Sequence, residues 1–123
     1  MIAQWEEFDE GPDQAGDLRV TLSKKGEIMV GARAVARMGK PDWVVLMFDR
    51  ANSLIALRVS HRHEKNAYPL VHKMKGRHRI VRANKFCRHY GIQFERTRAF
   101  VRARIDERGV LVLDLKETRA AGK

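Results

Sequence analysis

At 123 residues, 44% hydrophobic and 33% charged, the chain has room for one domain, or two interlocked halves, with a core that needs no staple. Cys87 is the only cysteine, which excludes an intramolecular disulfide; no apolar run reaches membrane-span length, and the first residues lack a secretion signal, so a cytoplasmic protein is expected. The 25 Lys and Arg stand against 15 Asp and Glu, a balance that attracts polyanions, nucleic acid first.

Residues 1–17 hold six acids (Glu6, Glu7, Asp9, Glu10, Asp13, Asp17) and no base, with Gly11, Pro12 and Gly16 as breakers. They read as an acidic mobile tail, with Trp5 and Phe8 able to touch the body. The remaining 106 residues therefore carry all 25 bases and nine acids, a formal +16.

Residues 18–60 form a first unit. Residues 19–22 alternate polar and apolar as a half-buried strand does, Lys24-Lys25-Gly26 makes a turn, and residues 27–30 return. Residues 31–38 make a short helix with Ala34, Val35 and Met38 on one face. Gly39 sits at its C′ position and Pro41 forbids continuation. The apolar run 43–48 predicts a strand buried on both faces; residues 49–53 turn the chain and residues 54–59 bring it back. The order is β-β-α-β-β.

Residues 61–69 read as a linker, and residues 70–115 repeat the order. Strands are expected at 70–73 and 78–82 around the turn 74–77, and a helix at 84–90 with Phe86, Cys87 and Tyr90 inward and Gly91 as its cap. Residues 98–105 and 110–115 form a last hairpin about Asp106-Glu107-Arg108-Gly109, before a polar tail at 116–123. The self-similarity is explicit at a spacing of 52, where Ile28 answers Ile80, Met29 Val81, Arg33 Lys85, Val35 Cys87, Met38 Tyr90 and Gly39 Gly91. One such unit hides too little apolar surface to stand alone, and two can complete each other. The expected fold is mainly β with short α, an α+β class. Its two β-β-α-β-β repeats are expected to form a pseudo-symmetric swapped-hairpin small β-barrel.

Lys25-Gly26-Glu27-Ile28, the short helix, Gly39, Val44-Val45 and the returning residues 54–57 resemble the AbrB/SpoVT family of swapped-hairpin DNA-binding domains. Two units in one chain resemble its tandem MraZ-like members. Gly31 and Ala83 stand where that family has proline at the helix start. The resemblance implies a bacterial transcription regulator or chromatin-type protein, nucleoid-associated, that meets double-stranded DNA with its strand turns and helix starts. A homodimer of the tandem chain is compatible with it.

The bases fit that surface. Residues 61–104 hold thirteen Lys or Arg and two acids. Lys73, Lys75, Arg77 and Arg79 cluster about the second hairpin, with Arg82 and Lys85 at the following helix start. Lys24, Lys25 and Arg33 occupy the equivalent places in unit one. Lysines mainly neutralise phosphate, while arginines also read guanine edges. Arg96, Arg98, Arg102 and Arg104 share a strand parity and hence one face. The alternatives are a module for RNA or another polyanion, and an antitoxin-like protein-interaction domain whose basic face meets an acidic partner. All five histidines and Cys87 fall within residues 61–89, but their spacing matches no structural zinc pattern. No metal, cofactor or membrane partner is expected. Nor is an enzyme, since no nucleophile–base pair or glycine-rich phosphate loop stands out and Asp49 and Asp106 each open a hairpin turn.

Overall fold

The computed structural model describes residues 2–6, 18–61, 64–72, 76 and 78–121. Most of the acidic leader therefore lies outside the described residues; of its two aromatic residues Trp5 is described, and it is 90% exposed.

Strands β1 (Val20–Leu22) and β2 (Glu27–Val30) are joined by Ser23-Lys24-Lys25-Gly26. Gly26 N–H donates to the Ser23 carbonyl at 3.0 Å and Ser23 N–H to the Glu27 carbonyl at 2.9 Å. This tight hairpin needs a left-handed residue after the turn, and Gly26 supplies it at φ +82°. Helix α1 (Ala32–Arg37) follows, then β3 (Trp43–Asp49) and β4 (Leu54–Ser60). The second half runs β5 (Ala67–Pro69), β6 (Val71–His72), β7 (Arg79–Arg82), α2 (Asn84–Tyr90), β8 (Arg98–Phe100), β9 (Arg104–Ile105), β10 (Leu111–Asp114) and β11 (Thr118–Ala120). Both helices end alike. Gly39 and Gly91 take positive φ, and the next N–H reaches back five residues, Lys40 to Val35 and Ile92 to Cys87, each at 2.8 Å.

The molecule is mainly β with two short helices. Its strands form two antiparallel sheets, in the orders β11-β8-β1-β2-β7-β6 and β5-β3-β4-β10-β9. The expected closed barrel is not formed. The outermost strands are only two or three residues long, so neither sheet has a ladder long enough to join the other. Short edges of this kind also present few unpaired groups to other chains.

Two ladders pair segments that correspond in the sequence comparison. Across the β2–β7 ladder Ile28 faces Val81 and Met29 faces Ile80; with the spacing of 52, each residue meets its neighbour's counterpart, as a local two-fold axis requires. Across β4–β10 the pairs are Leu57 with Leu111, Ala56 with Val112, Ile55 with Leu113 and Leu54 with Asp114. There the two central pairs stand in the same relation at a spacing of 57, the distance from Asp49 to Asp106. The five extra positions fall between Gly91 and the last hairpin.

That insertion explains a difference from the expected strand at 98–105. The chain leaves the first sheet after Phe100, turns at Val101 and Arg102, and enters the second at Arg104. Val101 N–H bonds the Glu117 carbonyl at 2.9 Å and Ala103 is fully buried. The four arginines do not share one strand face, because Arg98 reaches Thr118 in the first sheet, Arg102 pairs with Glu117 at 3.1 Å in the turn, and Arg104 lies in the second sheet. Two further segments gained structure. Within the expected linker β5 pairs with β3, and within the expected polar tail β11 pairs with β8. Of β3 only Val44 and Val45 are buried, while Met47 is 39% exposed, so that strand is covered on both faces at its start alone.

One apolar cluster joins the sheets and helices. Leu22, Ile28 and Val81 come from the first sheet, Ile55, Leu57, Leu111 and Leu113 from the second, and Ala34, Val35, Phe86 and Cys87 from the helices. Each fully buried Leu or Ile contributes about 1.5–3 kcal/mol. Among the described residues, no helix is long and apolar enough to cross a membrane.

Candidate nucleic-acid interface

Each helix end meets a hairpin from the other half of the chain. At the start of α2, Ala83 N–H donates to the Gly26 carbonyl at 2.9 Å, and a Cβ on Gly26 would lie 2.6 Å from the Asn84 Cα. The β1–β2 turn is thus pressed against α2, with the tip residues Lys24 and Lys25 exposed. A cleft of about 390 Å³ opens there, lined by Lys24, Lys25 and Arg88 together with Asn84, Gln93 and Phe94.

A second cleft, about 740 Å³, lies where α1 meets the other hairpin, and Arg33, Lys40, His72 and Arg79 line it. The two clefts are counterparts. Positions 24, 84, 87, 88 and 92 of the first correspond, at the spacing of 52, to positions 76, 32, 35, 36 and 40 of the second. Among the described residues, neither is lined by a carboxylate. A cleft lined by bases raises the local potential for an anion.

The expected site residues sort accordingly. Lys24 and Lys25 lie in the first cleft, Arg33 and Arg79 in the second. Sequence order grouped the turn of each unit with the helix of the same unit; the fold instead sets the first turn beside α2, and His72, Gly76 and Arg79 of the second hairpin beside α1. Arg82 is exposed at the end of β7, in register with Glu27, and Lys85 is exposed on α2. Lys73, Lys75 and Arg77 lie outside the described residues. The half-buried Arg79 donates to the His78 carbonyl at 3.4 Å.

Arg88 and Lys40 are cleft residues that the sequence reading did not select. Arg88 follows Lys85 by three positions on one helix, a spacing that puts both on one exposed face. Lys40 had no such signal, because its placement depends on the turn at Gly39. Arg50 was also not selected. Its guanidinium lies 5.5 Å from the Tyr90 ring centroid and 5.9 Å from that of Phe48, so the β3–β4 tip adds a cation beside α2. Phe48, Phe86 and Tyr90 form the contact beneath it, with centroids 4.6–6.3 Å apart.

The acids at the second sheet's turns are occupied locally. Asp49 accepts from the Asn52 side chain at 2.8 Å and backbone at 3.1 Å, Asp106 from the Arg108 and Val110 amides, and Asp114 from Lys116. These bonds hold all three carboxyls below the usual carboxylate range. Burial pushes the Cys87 thiol up, as suits a core residue between the helix and the first cleft. Among the described residues, no three His, Cys, Asp or Glu side chains converge as metal ligands would. Comparison with protein-family models, curated proteins and solved structures found no match.

Proposed function

We propose that the chain is a double-stranded-DNA-binding protein of the swapped-hairpin kind, acting in bacterial transcription regulation or chromatin organisation. Its phosphate contacts come from the bases of the hairpin turns and the helices beside them. The observation that carries this reading is the pair of equivalent clefts, lined by six lysines and arginines and, among the described residues, by no carboxylate. Two related basic sites on one chain suit a ligand with regularly repeated negative charge, and a duplex is such a ligand. The interlocking of the halves supports the swapped-hairpin description, since Gly26 of the first half touches Asn84 of the second and Phe48 touches Phe86 and Tyr90.

Fluorescence anisotropy at low salt tests the reading, using a duplex DNA, a duplex RNA of the same sequence and an acidic peptide. Tighter binding to DNA than to RNA is the expected result. Preference for RNA turns the reading to its nearest alternative, and binding to the peptide alone overturns both nucleic-acid readings.

A further inference from the structure

We infer that the first cleft is a binding site for a single nucleotide, a nucleoside phosphate either free or unpaired within a strand. The site overlaps the surface proposed for duplex binding, but does not require that reading. Three separate features converge there, and each matches one part of a nucleotide.

The first is charge. Lys24 and Lys25 at the turn tip and Arg88 on α2 face a common space, which provides for a phosphate two point charges and one forked donor. The second is a pair of amides, Asn84 and Gln93, which line the same space. Each carries both a donor and an acceptor, the combination that recognises the edge of a base. Neither these amides nor the three bases bond by their side chains to another described residue. The third is an apolar wall of Leu22, Ile92 and Phe94, against which the flat face of a base can lie. The volume of about 390 Å³ falls in the range of small-molecule sites.

Among the described residues, the companion cleft lacks the full set. At the positions equivalent to Asn84, Arg88 and Ile92 it has Ala32, Ala36 and Lys40. The scaffold is common to both halves, whereas among the described residues the amides and the Ile92–Phe94 wall belong to one. The nucleotide site is therefore an elaboration of the first cleft and not a by-product of the fold.

Calorimetric titration of the full chain with adenosine monophosphate, inorganic phosphate and a single-stranded tetranucleotide tests the inference. Adenosine monophosphate, the tetranucleotide or both should bind one to one, at least about tenfold tighter than phosphate. Arg88→Ala should weaken that binding about tenfold or more, as loss of a charge-assisted bond does. Asn84→Ala and Gln93→Ala should weaken it by less, while Arg108→Ala at the β9–β10 turn, which does not line the cleft, should leave it unchanged. Which ligand binds identifies the source, free nucleotide or strand. Three results would overturn the inference: binding of neither nucleotide ligand, phosphate binding as tightly as they do, or equal effects of Arg88→Ala and Arg108→Ala. Thermal unfolding of each variant confirms that it is folded. A parallel duplex titration separates the two readings, because loss of duplex binding leaves the nucleotide result standing.

Discussion

Replacing Gly26 with Ala tests the contact that locks the two halves together. Gly26 has φ +82°, and Gly109, in the β9–β10 turn with the same hydrogen-bond pattern, has φ +80°. An alanine at either position is forced into the left-handed region at a cost of about 1–2 kcal/mol. The surroundings differ. A Cβ at position 109 meets nothing within 4 Å, whereas one at position 26 would come 2.6 Å from the Asn84 Cα and 2.9 Å from its Cβ. Those atoms belong to the start of α2 and cannot swing aside as a side-chain end would, so the turn must move. Overpacking of this kind adds about 1–3 kcal/mol. Gly26→Ala should therefore destabilise the protein by about 2–5 kcal/mol and Gly109→Ala by about 1–2 kcal/mol. Urea unfolding followed by circular dichroism, with m unchanged, reads the difference directly. Equal losses for the two variants would refute the claim that the first turn is pressed against the second half's helix.

Other consequences are open to measurement. Leu57 is fully buried and faces Leu111 across the two halves, so Leu57→Ala should cost about 2–5 kcal/mol in the same assay; a loss under about 1 kcal/mol would mean that the site is not core. The Cys87 thiol, raised by burial, should react with a thiol reagent orders of magnitude more slowly in the native protein than in urea, and comparable rates would contradict its placement. Asp49, Asp106 and Asp114 have pKa values lowered from 3.8, chiefly by Asn52, Val110 and Lys116 respectively. A carboxyl with a depressed native pKa stabilises the fold above its unfolded value, and that contribution fades as pH falls through the native one. Stability should accordingly drop below about pH 4, and more steeply than in a variant with all three changed to Asn. Parallel pH curves for the two proteins would argue against these hydrogen bonds.

Local chemistry made much of the fold readable. Gly26, Gly39, Gly91 and Gly109 all take the positive φ that turn and cap positions suggested, and the inward helix residues Ala34, Val35, Met38, Phe86 and Cys87 are buried. The similarity between residues 28–39 and 80–91 reappears as the two-fold register of β2 and β7. What escaped depended on partners distant in the chain. Alternation shows that residues 98–105 are extended, but not that Phe100 and Arg104 belong to different sheets, because each segment's sheet is set by its neighbour, β1 or β10. The polar segment Thr118–Ala120 becomes a strand because β8 offers it a free edge. The same limit applies to the site. Lys24, Lys25, Arg33 and Arg79 were legible as bases near turns and helices, yet their grouping was not, since it follows from each hairpin lying beside the opposite helix. Arg50 required knowing that the β3–β4 tip reaches Tyr90.

The central claim is that both clefts engage one polyanion, and the salt dependence of duplex affinity tests it most directly. Six neutralised phosphates give a slope of about −5 in log affinity against log salt. Removing Lys24, Lys25 and Arg88, or separately Arg33, Lys40 and Arg79, should weaken binding and flatten that slope to between about −2 and −3 in either case. A slope unchanged by either triple replacement, or no duplex binding at low salt, would contradict it.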